Sequence, residues 1–249
     1  MVLARYYNNP KFFVSDGAIG CTKLWAIRAD LDRDDFVVVY IGDLGEYLPS
    51  RERQYWVPHN VVPEGGISET TYRRHFLSEP APAQAVDHRF LSLYERVNVR
   101  WSDIYGWPLF RPPHPEDRQI MRIHVPLDDN SPAEFDEMIL ALTKLLIDYL
   151  NKRDIANSLE ETVADEGSIA TLQRWMRANG YPDADRDIMY LKTLQSWRST
   201  GAAHGKGSGF DKLRAATDGS RKDTVTDLLG QANLMLESLS TFLASAKTP

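Results

Sequence analysis

The 249-residue chain has a single cysteine, Cys21. That excludes an intrachain disulfide and any Cys-rich zinc site. No apolar run approaches the roughly 20 residues of a membrane span. The opening residues 1–7 lack the apolar core of a signal peptide. A cytoplasmic protein with no membrane partner is therefore expected. Several sequence signatures are missing as well. Without His-Glu-x-x-His, Gly-x-Ser-x-Gly or Gly-x-Gly-x-x-Gly, zinc-protease, α/β-hydrolase and dinucleotide readings have no support. No metal and no cofactor is expected. Nor is there an excess of positive charge. Lys and Arg number 29 against 35 Asp and Glu, a net charge of −6. This argues against nucleic-acid binding over the whole surface, but leaves room for a local basic site.

What is present is ordinary in bulk: 43% apolar and 26% charged residues, enough for a sizeable core. The texture changes near residue 130. Residues 1–130 carry 11 of the 14 prolines and four of the six tryptophans. Short strand-like runs recur there, at Phe12-Phe13-Val14, Cys21 to Ile27 and Phe36 to Ile41, parted by Asp-Gly and charged turns. The last is apolar on both faces and reads as a central strand. Gln119 to Leu127 reads as a further strand. Ser68 can cap a helix from Glu69 towards Leu77. Phe90, Leu91, Tyr94, Val97 and Trp101 recur at helical spacing over residues 88–103. Residues 1–130 thus predict a small α+β module.

Residues 131–249 predict an all-α four-helix bundle. Ser131-Pro132-Ala133-Glu134 has the form of a capping box with Pro at the first helical position. Behind it, Phe135, Met138, Ile139, Leu142, Leu145, Leu146 and Tyr149 form an apolar stripe. Ile169, Leu172, Trp175 and Met176 mark a second helix, closed by Asn179-Gly180. Ile188, Leu191, Leu194 and Trp197 mark a third, and Val225 to Leu243 a fourth.

The third helix runs into Arg198-Ser199-Thr200-Gly201-Ala202-Ala203-His204, an Arg and a His with five residues between. Arg53 to His59 and Arg118 to His124 repeat that spacing, and chance alone supplies about 1.4 pairs with four to six residues between. Only Arg198 and His204 stand at the end of a helix in a bundle. In this setting the segment resembles the motif of HEPN domains, a helical superfamily with RNA-cleaving members in toxin and phage-defence systems. The resemblance covers residues 131–249. It implies a metal-independent endoribonuclease in a bacterial antiviral-defence or toxin–antitoxin setting, acting as a homodimer or within a larger complex. Arg198 would steady the phosphate and His204 would act as acid and base. The alternative is a non-catalytic bundle that binds a protein or nucleic acid as an assembly subunit.

The chemistry needs these residue types. RNA carries its own nucleophile, the 2′-hydroxyl. His exchanges protons near neutral pH, and the Arg fork matches phosphate oxygens. Six residues apart lie about 120° around an unbroken helix, so the pair requires a bend near Gly201. The local charge agrees: Lys192, Arg198, Lys206, Lys212 and Arg214 face only Asp211 between Ile188 and Arg214. Lys192, Lys206, Lys212 and Arg214 are the candidate RNA contacts.

In the first half, Tyr55-Trp56-Val57-Pro58-His59-Asn60 with Pro63 to Thr70 resembles a block of bacterial proteins of unknown role. There too, Arg-Ser-x-Gly-x-Ala-His follows. The remaining features read as structural. His59, His75, His88, His114 and His124 lack metal spacing. Trp25, Trp56, Trp101 and Trp107 read as packing residues. Asp30, Asp32, Asp34 and Asp35 read as a solvated turn, not a calcium loop.

Overall fold

The structure is a computed structural model. It describes all residues except 1, 34–35, 63, 80, 82–83, 162, 203–206, 216, 218 and 246–249, and leaves aside the side chains of 115, 118–119 and 202. A small three-stranded antiparallel sheet near the N-terminus is followed by a largely helical remainder, an α+β chain. It divides into two compact units, Met1–Arg89 and Phe90–Pro249.

In the first unit α1 (Ala4–Tyr7) precedes β1 (Phe12–Ser15), β2 (Ala18–Cys21) and β3 (Trp25–Arg28), paired in that order. Asp16-Gly17 turns the first hairpin, with Gly17 at φ +83°, a conformation that glycine adopts without a side-chain clash. The expected strand from Cys21 to Ile27 is broken at Lys23, φ +64°, where the second hairpin turns. Gly20 sits between Phe13 and Ala26 in the ladder. A Cβ there would stand 2.6 Å from the Phe13 ring, so only glycine fits.

Tyr6 centres this unit's core, its ring 5.1 Å edge-on to Phe12 and 6.2 Å from Trp25. The helices α2 (Ile41–Tyr47) and α3 (Ser50–Trp56) follow the sheet. From α3, buried Glu52 accepts from Arg5 at 2.7 Å and from the Tyr6 hydroxyl at 3.1 Å, while Trp56 Nε1 donates to Tyr6 at 2.6 Å. Burial pushes the Tyr6 hydroxyl's pKa up, so it stays protonated and can donate.

Phe36 to Ile41 is not a central strand. Among the described residues it pairs only through the bridge of Asp30 with Val38, and α2 begins at Ile41. Val37 and Val39 pack on the core cluster, while Ile41 is 84% exposed. One face of the run is enough for the core, and no neighbouring strand covers the other. The capped helix was anticipated in part. Ser68 Oγ accepts from Thr71 N at 3.1 Å at the start of α4 (Glu69–Thr71), and a π-helical turn covers Tyr72–Phe76.

The α5 helix (Val86–Tyr105) starts in the last residues of the first unit and runs on into the second. Phe90, Tyr94, Val97 and Trp101 are buried as expected. Trp101 packs 4.4 Å from Trp175, and Arg100 donates to the Ser240 carbonyl at 2.6 Å. These contacts tie α5 to the helical unit, so the compact units part at residue 89 and not at 130.

Gln119 to Leu127 is not a strand either. A 3₁₀ turn covers Pro115–Met121 and irregular chain follows. Ile120 and Ile123 are buried, and Leu127 N donates to Glu134 Oε2 at 2.6 Å. The apolar residues fill the core without a strand partner.

The remaining helices are α6 (Pro132–Thr143), α7 (Lys152–Asn157), α8 (Ser168–Ala178), α9 (Ala184–Trp197), α10 (Ser208–Ala215) and α11 (Arg221–Ser245). Ser131 caps α6 by accepting from Glu134 N. Glu134 bonds Leu127 N, not the cap's own N–H, so the capping box is half made. Gly180 at φ +68° closes α8, with Tyr181 N donating to the Met176 carbonyl at 2.8 Å. Buried Asp187 on α9 accepts from the Tyr181 hydroxyl at 2.6 Å and from Arg186 at 2.7 Å. Ile139, Leu142, Leu145, Leu191, Leu194, Leu229 and Leu236 are fully enclosed.

Candidate functional site

Two helices of the second unit end in π turns. One, Lys144–Asp148, extends α6; the other, Arg198–Ala202, extends α9. Widened turns of this kind re-aim the side chains at a helix end. Trp197, the last residue of α9, is buried with its ring edges on Phe135 at 5.5 Å and Phe210 at 5.9 Å. Arg198 then emerges half-buried. Its Nη1 donates to both carboxylate oxygens of Asp148 at 2.8 Å. The first residue of one π turn is thereby tied to the last of the other. Arg111 Nη2 reaches the same residue, donating to the Asp148 carbonyl at 3.0 Å.

Past Arg198 the hydroxyls of Ser199 and Thr200 both donate to the Ser196 carbonyl. Gly201 lies under Phe210: a Cβ there would stand 2.6 Å from the ring. Thr200 lies against Gly209. Residues 200–201 and 209–210 are therefore held side by side. Arg198–Ala202 forms a π turn, which departs from the regular spacing of an α-helix.

The expected site residues fall as follows. Lys192 on α9 and Lys212 on α10 are exposed. Arg214 turns inward, donating to Thr224 Oγ1 at 3.0 Å and to the Gly219 carbonyl at 3.3 Å, and ties α10 to the start of α11. His204 and Lys206 lie outside the described residues. The structure pairs Arg198 with Asp148, whose carbonyl takes Arg111, and neither Asp148 nor Arg111 was singled out in the sequence. Asp148 did leave a signal. A carboxylate at a helix C-terminus meets an unfavourable dipole, so an Asp closing the run Leu145-Leu146-Ile147 calls for a cation.

Beside this group, Asp117 accepts from Tyr149 OH at 3.1 Å and Lys144 Nζ at 3.4 Å. Those bonds hold its carboxyl below the usual carboxylate range. Among the described residues, no three His, Cys, Asp or Glu side chains gather as metal ligands.

In the first unit, Asp30 and Asp32 do not form a solvated turn. Asp30, only 3% exposed, accepts from the backbone N–H groups of Ser68 and Asp32. Asp32 accepts from those of Gln84 and Ala85. Both are loop caps; Asp34 and Asp35 lie outside the described residues. A cavity of about 90 Å³ opens between Arg28, Val39, Tyr40, Ile67, His75 and Phe76. Burial, and then the charges of Arg28 and Arg74, push the His75 pKa down.

No family model, curated protein or solved structure matches the chain.

Proposed function

We propose that the helical unit is HEPN-like and that the protein is a metal-independent endoribonuclease in a bacterial defence or toxin setting. One observation carries the reading. At the end of α9, Arg198 is about one third exposed and is held by Asp148 through a single nitrogen. Its Nε and Nη2 have no partner among the described residues and are free for a phosphate. In the proposed reaction, the 2′-hydroxyl of RNA attacks the adjacent phosphorus as its proton passes to a base. The 5′-oxygen leaves and takes up a proton. His204 serves this proton transfer, and Arg198 meets the negative charge that builds on the phosphoryl oxygens. Asp148 orients Arg198. A homodimer or larger complex and a cytoplasmic setting belong to the same proposal.

A second reading rests on that same ion pair. Two 2.8 Å contacts that lock two helix ends together are also what a purely structural tether needs. In this reading the bundle is an assembly subunit and cuts nothing. The test is labelled RNA incubated in EDTA with wild type, Arg198→Ala or His204→Ala. Cleavage by wild type alone supports the nuclease. Equal cleavage by all three removes the site, and no cleavage by any supports the assembly subunit.

A further inference from the structure

We propose that Arg111 and Arg198 form one anion seat at the end of α6, and that it takes the phosphodiester backbone of single-stranded RNA. This inference takes its substrate from the ribonuclease reading. It adds a second backbone contact from a segment that lies outside the Arg-to-His motif.

The argument starts with how Arg111 is placed. Residues 109–111 run beside 149–151: Phe110 bridges Leu150, Arg111 N donates to the Tyr149 carbonyl at 2.7 Å, and Asn151 N donates to that of Leu109 at 2.8 Å. From α5, Asn98 holds both the N–H and the carbonyl of Phe110. The backbone of Arg111 is thus fixed from two sides, while its side chain is exposed. Among the described residues its one side-chain hydrogen bond is Nη2 on the Asp148 carbonyl, and Arg198 holds the carboxylate of that residue.

Two guanidinium groups therefore bond one residue, Arg111 at the Asp148 carbonyl and Arg198 at its carboxylate. Among the described residues, Nε and Nη1 of Arg111 and Nε and Nη2 of Arg198 have no acceptor. The nearby cation Lys144 is occupied by Asp117. One positive charge is left over, with four nitrogens' worth of planar donors. Capping a carbonyl would need neither the second Arg nor the unused donors. A phosphodiester brings one negative charge and two free oxygens, the pattern an Arg fork matches. An open surface position suits a strand that passes over it, and a single strand leaves the 2′-hydroxyl free to swing into line.

The experiment measures binding apart from cleavage. A fluorescein-labelled 2′-O-methyl RNA, which lacks the nucleophile, is titrated with the full chain in EDTA at several KCl concentrations. Each backbone contact in single-stranded nucleic acid contributes about 0.7 to the slope of log affinity against log salt. Arg111→Gln is expected to weaken binding several-fold and flatten the slope by about 0.7. Arg111→Lys keeps the slope but binds more weakly, because the fork is lost. If Arg111→Gln binds as wild type with an unchanged slope, or wild type binds no RNA, the seat is overturned. If Arg111→Gln does not fold, Arg111→Lys decides, and unchanged affinity there overturns the seat. If Arg111-dependent binding persists while unmodified RNA stays intact, the ribonuclease reading alone falls.

Discussion

Arg198 Nη1 stands 2.8 Å from each carboxylate oxygen of Asp148, and this contact joins the π turns that end α6 and α9. One residue supplies a candidate phosphate ligand and the other holds it still. Removing either separates the catalytic from the structural meaning of the pair. Both side chains are more than 30% exposed, so breaking the pair is expected to cost no more than about 1 kcal/mol of stability. Arg198→Ala should fold and melt close to wild type while losing at least about 100-fold in RNA cleavage. A melting shift that accounts for the whole loss of activity would favour the tether.

Asp148→Asn keeps the size and one acceptor of the side chain but removes its charge. Arg198 is then less firmly held, and a misplaced group costs up to about 100-fold in rate. Cleavage is expected to fall by about 10- to 100-fold, mainly in kcat. Metal-free single-turnover kinetics would show it.

Gly201→Ala places a Cβ 2.6 Å from the Phe210 ring. Overpacking of this kind costs about 1–3 kcal/mol. Phe210→Leu in the same chain makes room, so the double variant should recover part of the loss. Urea melts of the three variants form a cycle, and strict additivity would show that the two positions do not touch.

His75 carries a sign for pH dependence. Its folded pKa lies below the ordinary value of 6.5 because of burial and the charges of Arg28 and Arg74. Between that lowered value and 6.5 the unfolded chain binds the extra proton. Stability is therefore lost as pH falls from about 7 through this window. His75→Gln should flatten the pH dependence of chemical denaturation there. An identical slope in wild type and variant would show that other groups set it.

Trp101→Ala removes a fully buried ring that packs on Trp175. A loss of about 3–5 kcal/mol is expected. If α5 belonged energetically to residues 1–89, the melt of the helical unit would not move.

The helices after residue 131 were legible because their apolar residues repeat at helical spacing and their ends carry Ser131-Pro132 and Gly180. The first hairpin was legible from Asp16-Gly17. What misled was burial without periodicity. Val37 and Val39, and Ile120 and Ile123, lie over a core, and nothing local says whether another strand is present to pair with them. The boundary at residue 130 followed proline content, whereas the contacts of Trp101 and Arg100 reach α8 and α11, far along the chain. Asp30 looked like one of a charged run because its N–H partner, Ser68, is remote in sequence. Of the site, Arg198 was singled out by its place at the end of a helix. Asp148 met Arg198 only through the meeting of two helix ends, and Arg111 reached Asp148 from a separate segment.

Cys21, buried in β2 opposite Phe12 and Trp25, gives the chain a built-in clock. A thiol reagent reaches it only when the sheet opens. With no other cysteine to react, the labelling rate reports the opening of residues 1–89 without a signal from the helical unit. The stability of residues 1–89 can then be followed by itself in the intact protein.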